Sequence, residues 1–102
     1  MFEFAKNIFK RNTTDFKTLL QNGAVIIDVR SEGEFNMGHI NQALNIPLNE
    51  IKTVICDLKR MHKPIITCCK SGVRSGAAAS LLSSAGLEAY NGGAWNALAE
   101  VI

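Results

Sequence analysis

Cys69-Lys70-Ser71-Gly72-Val73-Arg74-Ser75 is the part of this chain whose residue types and spacing suit chemistry. It stands between an apolar run, Pro64-Ile65-Ile66-Thr67-Cys68, and a stretch of small helix-forming residues at 75–85. A cysteine at a strand end, followed by a short loop that opens a helix, is a physical recipe for a reactive thiolate. The helix N-terminus offers N–H groups without intrahelical partners and a partial positive charge. Lys70 and Arg74 add full positive charge. Each effect favours the thiolate over the thiol, and the thiolate is the nucleophile. The loop amides also form a natural cradle for an anionic substrate. Gly72 permits a tight curl of the backbone, because it takes positive φ without steric cost.

The remaining composition narrows the setting. A chain of 102 residues, 47% hydrophobic and 20% charged, reads as one globular domain over residues 1–102. A net charge of +2 with scattered basic residues argues against nucleic acid as a partner. The densest basic cluster, Lys59-Arg60-Met61-His62-Lys63, reads as a solvated helix end. No apolar run approaches the roughly 18 residues of a membrane span. The N-terminus, with Glu3 early and no sustained apolar stretch, is not expected to be a secretory signal. Three cysteines cannot all pair and none has zinc-site spacing, so free thiols in the cytoplasm are expected, with no metal.

Helices and strands are expected to alternate. Thr13 or Thr14 is placed to cap a helix with Phe16, Leu19 and Leu20 on one face, and Gly23 to end it. Residues 24–29 form a nearly continuous apolar run that suits a strand buried on both faces of a parallel sheet. A polar segment follows, with one helical turn around Glu34-Phe35, and then a short strand at 43–47. From Asn49, the spacing of Ile51, Val54, Ile55, Leu58 and Met61 is helical, which places Cys56 within that helix and in the core. Pro64 admits a strand at 65–68, and a helix from Ser75 runs to Gly86. A weak strand at 87–90 turns through Asn91-Gly92-Gly93 into a last helix at 94–102. The fold class is therefore α/β, a three-layer α/β/α arrangement with a small, mostly parallel central sheet. Ligands gather at the carboxyl ends of strands in such folds, and Cys69 lies at such an end.

Four stretches, taken in order, resemble the rhodanese-like sulfurtransferases. Asp28-Val29-Arg30 ends a strand and precedes Glu34-Phe35, and Gly38-His39-Ile40 opens a stretch that runs on to Pro47. The cysteine loop has the form C-x-x-G-x-R-S, and Asn91-Gly92-Gly93-Ala94-Trp95 is similar to the family's terminal double glycine and aromatic. Trp95 follows the glycines more closely than is common in the family. The resemblance implies a rhodanese-like three-layer fold and a persulfide chemistry on Cys69. A sulfane sulfur would come from a small anionic donor such as thiosulfate and pass to cyanide, a thiol or a protein cysteine. No metal or organic cofactor is needed, because the sulfur rides on the protein. The amides of Lys70, Ser71, Gly72, Val73 and Arg74 would hold the persulfide, and the Lys70 and Arg74 side chains would draw in a doubly charged donor.

Rival readings remain. A module loaded by a partner protein would relay sulfur with little free-donor turnover. Cys68 to Arg74 also satisfies the C-x5-R pattern of cysteine phosphatases. Against it, Ser71 and not glycine follows three residues after Cys68. The six-residue loop from Cys69, a fit for a thiosulfate or persulfide sulfur, is one residue shorter than in the related phosphatases and arsenate reductases of this fold. Arsenate reductase falls with the same objection. Cys68 is expected to face the core on the opposite side from Cys69, which strains any resolving role. Ser71 and Ser75 are expected as cap residues. Asp28 is given a structural role near the site, with Arg30 paired to Glu34. His39 is assigned a conformational role, His62 a solvated helix end, and Trp95 the anchor of the last helix.

Overall fold

The computed structural model describes residues 14–102. Helix α1 (Phe16–Gln21) is capped by Asp15, whose carboxylate accepts the Thr18 N–H. Thr14 is not the cap, and Thr13 lies outside the described residues. Asp competes well for this place because a carboxylate both accepts the free N–H and suits the positive helix end. The helix closes with paired bonds from Gly23 N–H to Leu20 O and from Ala24 N–H to Leu19 O, the pattern of a Schellman turn.

Strand β1 (Val25–Asp28) follows, then α2 (Glu32–Asn36), opened by a capping box between Ser31 and Glu34. Strand β2 is only Leu44–Asn45. The helix expected from Asn49 divides in two: a 3-10 helix at Leu48–Val54 and α3 at Ile55–Met61. Within α3, Ile55 and Leu58 are three residues apart and share a face, and Cys56 falls off it. Ile51 and Leu58 are buried, whereas Cys56 is exposed and does not belong to the core. His62 ends α3 in a left-handed conformation at φ 52°, exposed to solvent.

Strand β3 (Ile65–Cys69) is buried along its whole length. Helix α4 (Val73–Ser84) begins two residues earlier than its small-residue run suggests. Strand β4 is Ala89–Ala94 and α5 is Trp95–Val101. Asn91-Gly92-Gly93 thus belongs to the strand and is not a turn. Gly92 explains the difference: a Cβ there would lie 2.7 Å from Thr67 O and 2.8 Å from Ile66 Cγ2. Only a residue without a side chain lets β4 lie this close to β3.

The four strands are parallel throughout and ordered β2-β1-β3-β4. The chain leaves β1 toward β2 on one side and returns to place β3 on the other. The β1/β3 boundary is therefore a topological switch point, where the carboxyl ends of strands leave a crevice. Alternation along the strands sends side chains to two cores. Ile27, Val29, Ile65 and Cys69 pack with Ile51, Leu58, Ala78 and Leu82. Ile26, Ile66 and Cys68 pack with Ala24, Ile40 and Leu98, and with half-buried Leu19, Leu20 and Trp95. Each fully buried isoleucine contributes about 1.5–3 kcal/mol, so both faces are needed to hold a sheet this small.

Gly92→Ala should lower unfolding free energy by about 1–3 kcal/mol, because a backbone carbonyl cannot step aside. Gly33→Ala meets nothing within 4 Å in α2 and should gain up to about 1 kcal/mol through helix propensity. Urea unfolding of the two variants beside the wild type checks both signs.

Candidate active site

The sulfur of Cys69 occupies the place of a helix cap. Helix α4 starts after Gly72 with no oxygen side chain capping it. In that role, Cys69 Sγ accepts the Gly72 N–H at 2.9 Å and the Ser75 N–H at 3.4 Å. An N-cap side chain ordinarily serves these orphan donors; here a thiol group does. Gly72 makes the arrangement possible by taking φ 100°. Its missing side chain also matters, since a Cβ would lie 3.4 Å from the Gly93 backbone.

Burial pushes the Cys69 thiol up. The Ser75 hydroxyl and the N–H groups of Ser75, Gly72 and Ser71 act in the opposite sense and win, so the thiol ionises below its ordinary range. Cys68 shows the alternative. It lies on the other face of the sheet, and burial, with Asp28 adding to it, pushes its thiol up to about 12. Neighbours in sequence are thus chemically unlike. The sulfur of Cys68 belongs to the opposite core and not to the loop that ends in Arg74.

Ser75 does not cap the helix. It is fully buried in the first turn of α4, with its Oγ 3.3 Å from Cys69 Sγ. The same hydroxyl donates to Asn91 Oδ1 at 2.6 Å. Asn91 also donates from Nδ2 to the Gly72 carbonyl and accepts the Gly93 N–H. One amide therefore ties the loop, the helix start and β4 together. Between Thr67 and Cys69 the β3–β4 register shifts, Thr67 pairing with Asn91 and Cys69 with Ala94. Thr67 adds a second tie, donating to Ser75 O at 2.7 Å. Asn91 was singled out in the sequence only as part of a motif. A polar side chain just ahead of a double glycine was the available signal.

Charge is arranged differently from expectation. Arg74 binds Glu34 through two contacts, at 2.7 and 3.0 Å, and holds the Glu34 carboxyl down at about 2. Its guanidinium is therefore engaged by α2, and is not left unpaired for an anion. Arg30 does not pair with the Glu34 carboxylate. It binds Asp28 instead, with Nε and Nη2 both on the carboxylate at 2.7–3.1 Å. The reason is proximity: Asp28 is fully buried two residues away and needs a partner. The Asp28 Oδ1 also accepts the Arg30 N–H.

Arg30 then organises what surrounds it. It donates to the carbonyls of Glu34 and Gly38, and its guanidinium lies 4.8 Å from the centre of the Trp95 ring. His39 Nδ1 is 2.7 Å from Phe35 O, with the two rings stacked at 3.7 Å. Lys70 and Ser71 are exposed on the loop, and Val73 is 77% exposed. Lys59 and Arg60 lie in the last turn of α3, open to solvent. Among the described residues, no three His, Cys, Asp or Glu side chains converge as a metal site. None of their helices is long and apolar enough to cross a membrane.

Comparison with known proteins places this geometry. The family model of the Rhodanese-like domain matches residues 12–98. Uncharacterized protein YqhL of Bacillus subtilis is 45% identical over 69 residues, which take in 67% of this chain and 54% of that protein. The match thus spans about half of that relative's length. Thiosulfate sulfurtransferase 18 of Arabidopsis thaliana is 32% identical over 95 residues, covering 80% of this chain and 70% of the relative. The solved structure described as rhodanese with anions from E. coli superposes with a TM-score of 0.67 at 30% identity, covering 72% of this chain and 89% of that one. Matched by the family model over most of its length and by these relatives, the chain belongs to the rhodanese-like sulfurtransferase family.

Proposed function

We propose that Cys69 carries a sulfane sulfur as a persulfide, taking it from thiosulfate or a related donor and delivering it to a thiophilic acceptor. The observation that carries this reading is the convergence of the Gly72 and Ser75 N–H groups on Cys69 Sγ. In the first step the Cys69 thiolate attacks the outer sulfur of thiosulfate. A new S–S bond forms, the S–S bond of the donor breaks, and sulfite leaves with its electron pair. In the second step a thiol, cyanide or a protein cysteine attacks the outer sulfur, and Cys69 leaves as thiolate. The outer sulfur of thiosulfate is already sulfane sulfur, so no outside oxidant enters, and the amides of residues 70–75 stabilise the sulfur anions of both steps. Cys56, Cys68 and Cys69 are all free thiols, which suits a reducing, cytoplasmic setting.

One observation favours a second reading, in which a partner protein loads the cysteine. Cys69 is fully buried, and Arg74 is engaged by Glu34, so capture of a free dianion falls to the loop amides and exposed Lys70. Val73 offers an exposed apolar contact at the start of α4, next to that loop. A protein donor would bring its own binding surface and need less charge from the loop.

Intact-mass spectrometry after thiosulfate should show a gain of about 32 Da on the wild type and none on Cys69→Ser. Loading that persists in Cys69→Ser but disappears in Cys68→Ser would move the chemistry to Cys68 and overturn the assignment of Cys69. Loading by a protein persulfide but not by thiosulfate would favour the partner-fed reading.

Charge substitutions divide the cationic roles. Lys70→Ala should raise KM for thiosulfate about threefold at low salt, with the difference fading as salt rises. Arg74→Ala and Glu34→Gln should slow turnover alike with thiosulfate and with an uncharged persulfide donor, because both break the brace from α2. A loss confined to thiosulfate in Arg74→Ala would show that Arg74 meets the anion directly.

A further inference from the structure

The amide of Asn91 has one orientation that satisfies its neighbours. Its Oδ1 accepts the Gly93 N–H and its Nδ2 donates to the Gly72 carbonyl, each at 3.0 Å. Ser75 Oγ stands 2.6 Å from that Oδ1, a separation that requires a hydrogen between the two oxygens. An amide oxygen carries none, so the hydroxyl of Ser75 donates. A hydroxyl has a single hydrogen to give. With that hydrogen on Asn91, Ser75 meets Cys69 Sγ, 3.3 Å away, through a lone pair. The sulfur's own proton fills the contact. The arrangement is therefore that of the thiol: S–H to Oγ, and O–H to Oδ1.

Ionisation changes the demand. Once the S–H proton has left to a base in the medium, sulfur and hydroxyl face each other with lone pairs only. The contact becomes favourable when the Ser75 hydrogen turns from Asn91 to the sulfur. Asn91 then keeps the Gly93 N–H and loses its shortest bond. The two acceptors cannot both be served.

We propose that Asn91 is a positioning residue that competes with Cys69 for the one hydroxyl hydrogen of Ser75, and so governs how readily the nucleophile ionises. The role presupposes the sulfur-transfer reading above, with Cys69 as the reacting thiol. Asn91 touches neither the sulfur nor any donor in this scheme and acts through Ser75. Other charged or titratable groups are differently placed. Arg74 acts on Cys69 from the first turn of α4 but is paired with Glu34, and Lys70 is exposed. Cys68 and the Asp28–Arg30 pair sit at the ends of β3 and β1, with Cys68 on the opposite face. The 3-10 helix and α3 supply aliphatic side chains to the cluster that holds Cys69.

The test is a titration of thiolate ultraviolet absorbance in a Cys56→Ser background, which removes the exposed thiol. Cys68, at about 12, titrates later, and Cys69→Ala identifies the transition by abolishing it. Asn91→Ala should lower the Cys69 midpoint by about one unit, or about tenfold more thiolate at a pH below it. Adding Ser75→Ala should erase that effect, leaving the double variant equal to Ser75→Ala alone. A rise in Asn91→Ala would overturn the proposal, since it would mean that the amide only braces Gly72. An equal fall with and without Ser75 would overturn it too. Should Asn91→Ala fail to fold, Asn91→Asp also lacks the Nδ2 donor but keeps an acceptor for Ser75. Its midpoint should rise, and more with Ser75 present than without; a fall, or an equal rise, would contradict the competition. The titration needs no sulfur donor. Absence of the mass gain therefore counts against sulfur transfer alone, and absence of the Ser75-dependent shift against Asn91 alone.

Discussion

The structure depends on one substitution of atom for atom: a thiol sulfur stands where a helix usually keeps a capping oxygen. Orphan N–H groups at a helix start must find an acceptor, and here Gly72 and Ser75 find Cys69 Sγ. The need is mutual. The helix requires an acceptor, and a buried sulfur can become an anion only beside donors. Folding the loop and lowering the thiol are therefore the same event, and the reactive centre costs the fold no separate scaffold.

The rest of the architecture keeps that sulfur and those amides in register. Strand β3 carries Cys69 to the carboxyl edge of the sheet at the switch point beside β1. Asp28 ends β1 at the same edge, and its bonds with Arg30 reach the carbonyls of Glu34 and Gly38. Glu34 in turn reaches across to Arg74 at the start of α4. On the other side, β4 comes close enough to Thr67 for Asn91 to hold Gly72, Ser75 and Gly93 at once. The loop is thus braced from both flanking strands. Breaking a buried pair such as Asp28–Arg30 leaves an uncompensated charge, a loss of about 3–5 kcal/mol, so this bracing is a large share of a small domain's stability.

Much of this was legible in the residues. Residues 24–29 and 65–68 read as strands because a two-sided parallel sheet demands uninterrupted apolar runs, and β1 and β3 follow them closely. Opposite faces for Cys68 and Cys69 followed from the period of two. What escaped was set by tertiary contact. The strand through Asn91, Gly92 and Gly93 depends on how closely β4 approaches Thr67 O, and no local propensity encodes that distance. Cys56 is exposed because it lies off the face that Ile55 and Leu58 share in α3. Arg30 could reach either Asp28 or Glu34 by spacing. Burial of Asp28 decided the choice, because a buried carboxylate gains more from pairing than an exposed one. Ser75 read as a cap since serine favours that position, yet the sulfur had already taken it.

The most direct measurement follows the Gly72 and Ser75 amide resonances by two-dimensional nitrogen–proton NMR through the ionisation of Cys69. If main-chain donors hold the sulfur, both amide protons should move downfield with one common midpoint, and neither should titrate in Cys69→Ala. Resonances that stay flat while the thiol ionises would contradict the account.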